Sequence, residues 1–148
     1  MNRKLIIPGD RAATLRYAAD HFVTTCENAI HDHGFFTVAL SGGSTPKSLY
    51  ELICNSPYKE EIEWDKIHLF WSDERSVPPT DPESNYGMAM KAGFDKMLLT
   101  PHHIHRMIAE DQIEHHAKKY EEKLISILQG QTLDLVMLGM GEDGHTAS

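Results

Sequence analysis

The chain predicts an open, doubly wound α/β fold, a mostly parallel sheet with helices on both faces, and three observations predict it. Short apolar or β-branched runs alternate with longer segments of helical period. The central runs each end in a polar or glycine-bearing turn, and no internal repeat or low-complexity tract interrupts the alternation. Right-handed crossovers would then lay the strands side by side. A length of 148 residues suits one domain with a single core.

Leu5 to Ile7 is an apolar run closed by Pro8 and Gly9 and reads as a strand. Asp10 is placed to cap a helix in which Leu15, Phe22, Val23, Cys26 and Ala29 recur at helical spacing, and Gly34 marks its end. Phe35 to Leu40 is continuously apolar or β-branched, as expected of a central strand covered on both faces. A glycine turn follows from Ser41 to Thr45. Pro46 suits the first helical position, and Leu49, Tyr50, Leu52 and Ile53 continue the helix.

Ile67 to Trp71 predicts the next strand, ending in Ser72, Asp73, Glu74 and Arg75 before a proline-bearing loop from Val77 to Pro82. A helix is expected over Asn85 to Leu99 despite Gly87 and Gly93, and a short strand over Ile104 to Met107. Asp111 to Gln129 reads as a helix with Asp111 as cap and Glu114 completing a capping-box-like pattern. Ile113, Ala117, Tyr120, Leu124 and Leu128 share one of its faces. The last strand, Leu133 to Leu138, runs into Gly139 to His145.

Hydrophobic residues make up 41% and charged residues 24%, which excludes a disordered chain and a disulfide scaffold. Fourteen Lys and Arg against 22 Asp and Glu give a formal net charge of -8, and no basic patch offsets it, so nucleic acid is not an expected partner. A small anion remains compatible, because one arginine and a few oriented N–H groups hold a phosphate. Cys26 and Cys54 show no metal or redox spacing and are expected as free thiols, which favours the cytoplasm. Met1 to Ile7 has too short an apolar run for a signal segment, and no stretch approaches a membrane span. The sequence sets no oligomeric state.

In open parallel sheets, ligands bind beyond the carboxyl ends of the strands. Three segments lie there: Ser41 to Thr45, Ser72 to Arg75, and Gly139 to His145. Gly42 and Gly43 leave backbone N–H groups unobstructed at a helix start, and Ser41, Ser44 and Thr45 add hydroxyls, a combination suited to phosphate; a tight turn without a ligand is the plainer alternative. Asp73 and Arg75 sit where an anion and a sugar can be met, and a solvated charge cluster is the alternative. His145 is the candidate general base. Gly139, Gly141 and Gly144 let its loop turn sharply, and Glu142 and Asp143 stand beside it, so Asp143 can orient the ring. A helix-capping role is the alternative. His31 and His33 fall at a helix C-terminus, His115 and His116 on a helix, and His102, His103 and His105 lack a further ligand pattern, so no required metal is expected.

Leu40-Ser-Gly-Gly-Ser-Thr-Pro46, Phe70-Trp-Ser-Asp-Glu-Arg75 with Ser84-Asn85-Tyr86 after it, and Asp134 to Ser148 with its Gly-Glu-Asp-Gly-His-Thr-Ala-Ser ending resemble the three signatures of 6-phosphogluconolactonases. The resemblance runs from about residue 5 to the last residue. It implies a Rossmann-like fold shared with glucosamine-6-phosphate deaminases, hydrolysis of 6-phospho-D-glucono-1,5-lactone in the oxidative pentose phosphate route, and no cofactor. By motif position, Gly42, Gly43, Ser44 and Thr45 would face the sugar phosphate, Arg75 would contact anionic oxygens, Asp73 would line the sugar site, and His145 would activate water. It also implies that these residues form the N-terminal portion of a longer lactonase domain, since family members continue beyond the histidine motif. A deaminase is the nearest rival. Trp71-Ser-Asp-Glu-Arg75 resembles the lactonase version of that motif. A non-catalytic sugar-phosphate-binding module is the rival from another class.

Overall fold

Alternating apolar runs and helical segments resolve into a parallel sheet in the computed structural model, which describes residues 3–146. Met1 and Asn2, with Ala147 and Ser148 at the end of the histidine motif, lie outside those residues. In chain order come α1 (Arg11–His33), β1 (Phe36–Leu40), α2 (Ser44–Ile53), a single turn α3 (Tyr58–Glu61), β2 (Ile67–Trp71), α4 (Asn85–Lys91), α5 (Ile113–Leu128) and β3 (Leu135–Val136). The strand order is β2-β1-β3, parallel throughout, with Phe36 opposite Ile67 and Val38 opposite Leu135.

Local chemistry sets the element ends. The Asp10 carboxylate accepts from the Ala13 N–H at 2.8 Å and starts α1, while Gly34 at φ 92° returns its N–H to the Ile30 carbonyl and stops it. All five residues of β1 are buried, as its unbroken apolar run requires of the central strand. Phe36, Val38 and Leu40 point to the face where α1 and α2 pack, and Phe22 meets Phe36 edge-on with centroids 5.3 Å apart. Phe94 joins the same core against Tyr50 and Trp64. On the opposite face Phe70 meets Tyr120 of α5, so helices flank both sides. Cys26 and Cys54 are free and buried, and burial pushes both thiols up to about 12, which leaves them unreactive near neutral pH.

Five expectations change. Leu5 to Ile7 forms no strand. Leu5 and Ile7 are 85% and 78% exposed and have no neighbouring strand to pair with among the described residues. The helix expected over Asn85 to Leu99 ends at Lys91 because Gly93, at φ 142°, turns the chain. A Cβ at Gly93 would lie 2.5 Å from Cβ of Cys54, so only glycine admits this approach. Helix α5 starts at Ile113 without the expected capping box: Gln112 is left-handed at φ 40°, and the Asp111 carboxylate lies 3.4 Å from the His116 ring instead. Residues 104–107 reduce to one parallel bridge, Ile104 to Leu69. The last strand pairs only over Leu135–Val136, having β1 on one side and no described strand on the other.

Candidate active site

Three strand ends converge. After β1, the Tyr50 hydroxyl donates to the Ser41 carbonyl (2.7 Å) and accepts from the Ser41 N–H (2.9 Å), which pins the glycine turn from beneath. Gly43, at φ 104°, precedes α2 without a capping side chain, so the first N–H groups of that helix remain available to a ligand. After β2, the Ser72 N–H donates to the Leu40 carbonyl at 2.8 Å and holds the second loop against the first.

The second loop splits its three charges. Asp73 and Arg75 face a cleft, whereas Glu74 turns inward to α4. Among the described residues the Arg75 guanidinium forms no ion pair, which leaves its fork free for an anion. Asn85, the first residue of α4, donates its amide to the Asp73 carbonyl at 3.1 Å.

After β3 the loop closes on itself. The Gly141 N–H donates to the His145 carbonyl and the Gly144 N–H to the Gly141 carbonyl, both at 2.9 Å, with Gly144 at φ 85°. His145 Nδ1 is hydrogen-bonded to Asp143 Oδ1, an oxygen that also accepts the His145 N–H at 3.3 Å. The bond to the ring holds the Asp143 carboxyl below its ordinary range. With Nδ1 engaged, Nε2 is the nitrogen left for chemistry. A Cβ at Gly141 would fall 2.4 Å from the imidazole, so glycine is required for the ring to lie where it does.

A cleft of about 200 Å³ gathers Ser41, Gly42, Gly43, Asp73, Arg75, Gly141 and His145. Asp143 lies behind the imidazole and does not line it. Ser44 borders an adjoining cavity of about 260 Å³ shared with Gly43, Arg75 and Asn85. Thr45 is not brought to the cleft; it lines an apolar cavity of about 250 Å³ with Leu15, Pro46 and Leu135. Asn85, Gly139 and Met140 complete the cleft. Asn85 has no role assigned by the sequence motifs, and the signal for it is its place as the first helical residue after Ser84. Tyr50, an apolar helical position by its periodicity, carries a polar task as well, and its spacing from the glycine turn is the signal for it.

Four other histidines, His33, His68, His103 and His105, are engaged in packing or hydrogen bonds away from the cleft. His33 Nε2 lies 2.9 Å from Asp134, whose carboxylate also accepts from the Thr37 N–H and hydroxyl. His68 and His105 share a 3.0 Å hydrogen bond, with His103 stacked on His68. Among the described residues no group of three or more His, Cys, Asp or Glu is arranged to hold a metal ion.

The family model for glucosamine-6-phosphate isomerases and 6-phosphogluconolactonase matches residues 9–148. The chain belongs to this family. Within the glucosamine-6-phosphate isomerase/6-phosphogluconolactonase family, it is 46% identical over 111 residues to a 6-phosphogluconolactonase of Haemophilus influenzae, covering 75% of this chain and 48% of that one. It is 40% identical over 154 residues to a Nostoc 6-phosphogluconolactonase, covering 100% of this chain and 62% of the relative. The chain thus spans about half to three-fifths of the length of these family members. The solved 6-phosphogluconolactonase of Trypanosoma cruzi superposes with a TM-score of 0.82 at 30% identity, covering 98% of this chain and 61% of that structure. A monomeric glucosamine-6-phosphate deaminase, 21% identical with a TM-score of 0.79 over 93% of this chain and 55% of its own, shares the family fold.

Proposed function

We propose that the protein opens 6-phospho-D-glucono-1,5-lactone to 6-phosphogluconate, and that His145 is its general base. The observation that carries this is the convergence in one cleft of an imidazole backed by Asp143, an arginine without an ion-pair partner among the described residues, and an uncapped helix start behind two glycines. In the proposed sequence, His145 Nε2 takes a proton from water as its oxygen attacks C1, and then delivers a proton to the departing ring oxygen. Asp143 holds the ring and the imidazolium. Arg75 and the N–H groups of Gly43 and Ser44 receive the phosphate, with Gly42 clearing their approach, and Asp73 meets the sugar hydroxyls. Water is the sole co-reactant, so the reaction as written calls for no cofactor. The related 6-phosphogluconolactonases support the choice of substrate. The buried free thiols support a cytoplasmic setting, and no described helix is long and apolar enough to cross a membrane.

His145→Ala in the full-length protein tests the reading. Lactone opening above the spontaneous rate should fall about 10²- to 10⁴-fold, the usual worth of a positioned base. Undiminished hydrolysis would refute the base assignment. Ammonia release from glucosamine 6-phosphate without accelerated lactone opening would refute the substrate.

A further inference from the structure

Glu74 has no place in that chemistry, yet its carboxylate accepts more hydrogen bonds than any other near the cleft. Oε1 accepts from the backbone N–H groups of Arg75 and Asn85, each at 2.7 Å. Oε2 accepts from the Tyr86 N–H and the Ser84 hydroxyl, each at 3.0 Å. Ser84 is in turn the cap of α4, accepting from the Gly87 N–H at 3.0 Å. One carboxylate therefore ties the loop after β2 to the first turn of α4, where negative charge is favoured by the exposed N–H groups.

The tie reaches the cleft through two side chains. Arg75 is fixed at its own N–H, and Asn85 is delivered so that its amide bonds Asp73 and its carbonyl oxygen packs over Gly42, 2.0 Å from where a Cβ would stand. We propose that Glu74 is the positioning residue for the anion-binding side of the cleft, holding Arg75 and Asn85 against the glycine turn and taking no part in proton transfer. A carboxylate offers about four acceptor sites, and four donors occupy them here. The inference rests on the lactone reading of the cleft only for its kinetic arm.

Glu74→Gln in the full-length protein places an amide N–H against donors that now meet an oxygen, and leaves part of the cluster unsatisfied. The expected result is a fall in kcat/KM of about 10- to 100-fold, carried mainly by KM. The two limbs of the pH–rate profile should stay where they are. Inorganic phosphate, titrated by calorimetry, should bind about tenfold more weakly, a measurement that needs no turnover and stays legible if the lactone is not the substrate. Ser84→Ala, which removes one of the donors, should show the same pattern at a few-fold amplitude and replaces Glu74→Gln should that variant fail to fold. Wild-type KM and phosphate affinity in a folded Glu74→Gln protein would overturn the proposal. So would a loss of kcat at unchanged KM with one pH limb missing, because that would make Glu74 a proton-transfer group. In the fallback case, a Ser84→Ala protein with wild-type KM and phosphate affinity would overturn it equally.

Discussion

Replacing Gly42 by alanine separates steric from conformational demands at the glycine turn. Gly42 is not in the left-handed region, so its backbone accepts alanine. The obstacle is Asn85: the new Cβ would stand 2.0 Å from its Oδ1, 2.5 Å from its Cγ and 2.8 Å from its Nδ2. Asn85 cannot retreat easily, being 5% exposed and held at its N–H by Glu74. Its side chain must swing away and give up the 3.1 Å bond to the Asp73 carbonyl. Overpacking costs about 1–3 kcal/mol and the lost bond about 0.5–1.5 kcal/mol, so a stability loss of about 1.5–4.5 kcal/mol is expected, with KM raised. Gly43→Ala is the control. Its surroundings are open, with Pro46 Cδ 3.8 Å away, but at φ 104° and ψ 171° it lies in a region nearly confined to glycine, where alanine is strained by about 1–3 kcal/mol. Urea midpoints at constant m-value, with lactone hydrolysis measured on the same preparations, read both terms. A Gly42→Ala protein with unchanged midpoint and wild-type KM would refute the placement of Asn85 over the turn.

Tyr50→Phe leaves the Ser41 N–H and carbonyl without their shared partner in a buried site, and a loss of about 1–3 kcal/mol in thermal or urea unfolding is expected; a loss under about 0.5 kcal/mol would contradict the pinning role. His68 and His105 supply a pH dependence. Burial, reinforced for His68 by His103 and for His105 by His68, Lys123 and His103, lowers each ring from 6.5 to about 4. The unfolded chain therefore takes up protons that the folded protein refuses as pH falls from about 6.5 to 4. Stability should decline across that window and level off below it, by about 1–3 kcal/mol for the buried His105. His105→Phe should reduce the slope by about one proton in urea titrations at pH 6 and 4.5, and an unchanged slope would sink the assignment.

The parts of the molecule that were legible are those where one local rule decides. Asp10 and Gly34 bound α1 because capping chemistry is short-range, and β1 and β2 appear where the apolar runs stand because a strand covered on both faces is apolar on both. Expectations failed where a distant partner decides. Whether Leu5 to Ile7 forms a strand depends on an adjacent strand, and whether a helix passes Gly93 depends on Cys54, 39 positions earlier in the chain. The site divides the same way. Glycine turns and strand-end charges are visible in the motifs, whereas the inward aim of Glu74 and the separation of Thr45 from the cleft follow only from packing.

The position of His145 depends on a latch at the other end of its strand. Strand β3 pairs with β1 over two residues, too few to fix register by the ladder alone. Asp134, just before it, supplies what the ladder lacks: its carboxylate accepts from the Thr37 N–H at 2.8 Å and hydroxyl at 2.7 Å, and its own N–H donates to the Thr37 carbonyl at 3.1 Å. His33, the last residue of α1, closes on the same carboxylate. A two-residue slip would keep every side chain on its proper face and so escape the hydrophobic constraint, but would shift the loop by about 6.6 Å along the strand. The imidazole would then stand away from the glycine turn. The polar latch opposes that slip, so the alignment of the imidazole with the glycine turn is set in part at the end of the sheet remote from both.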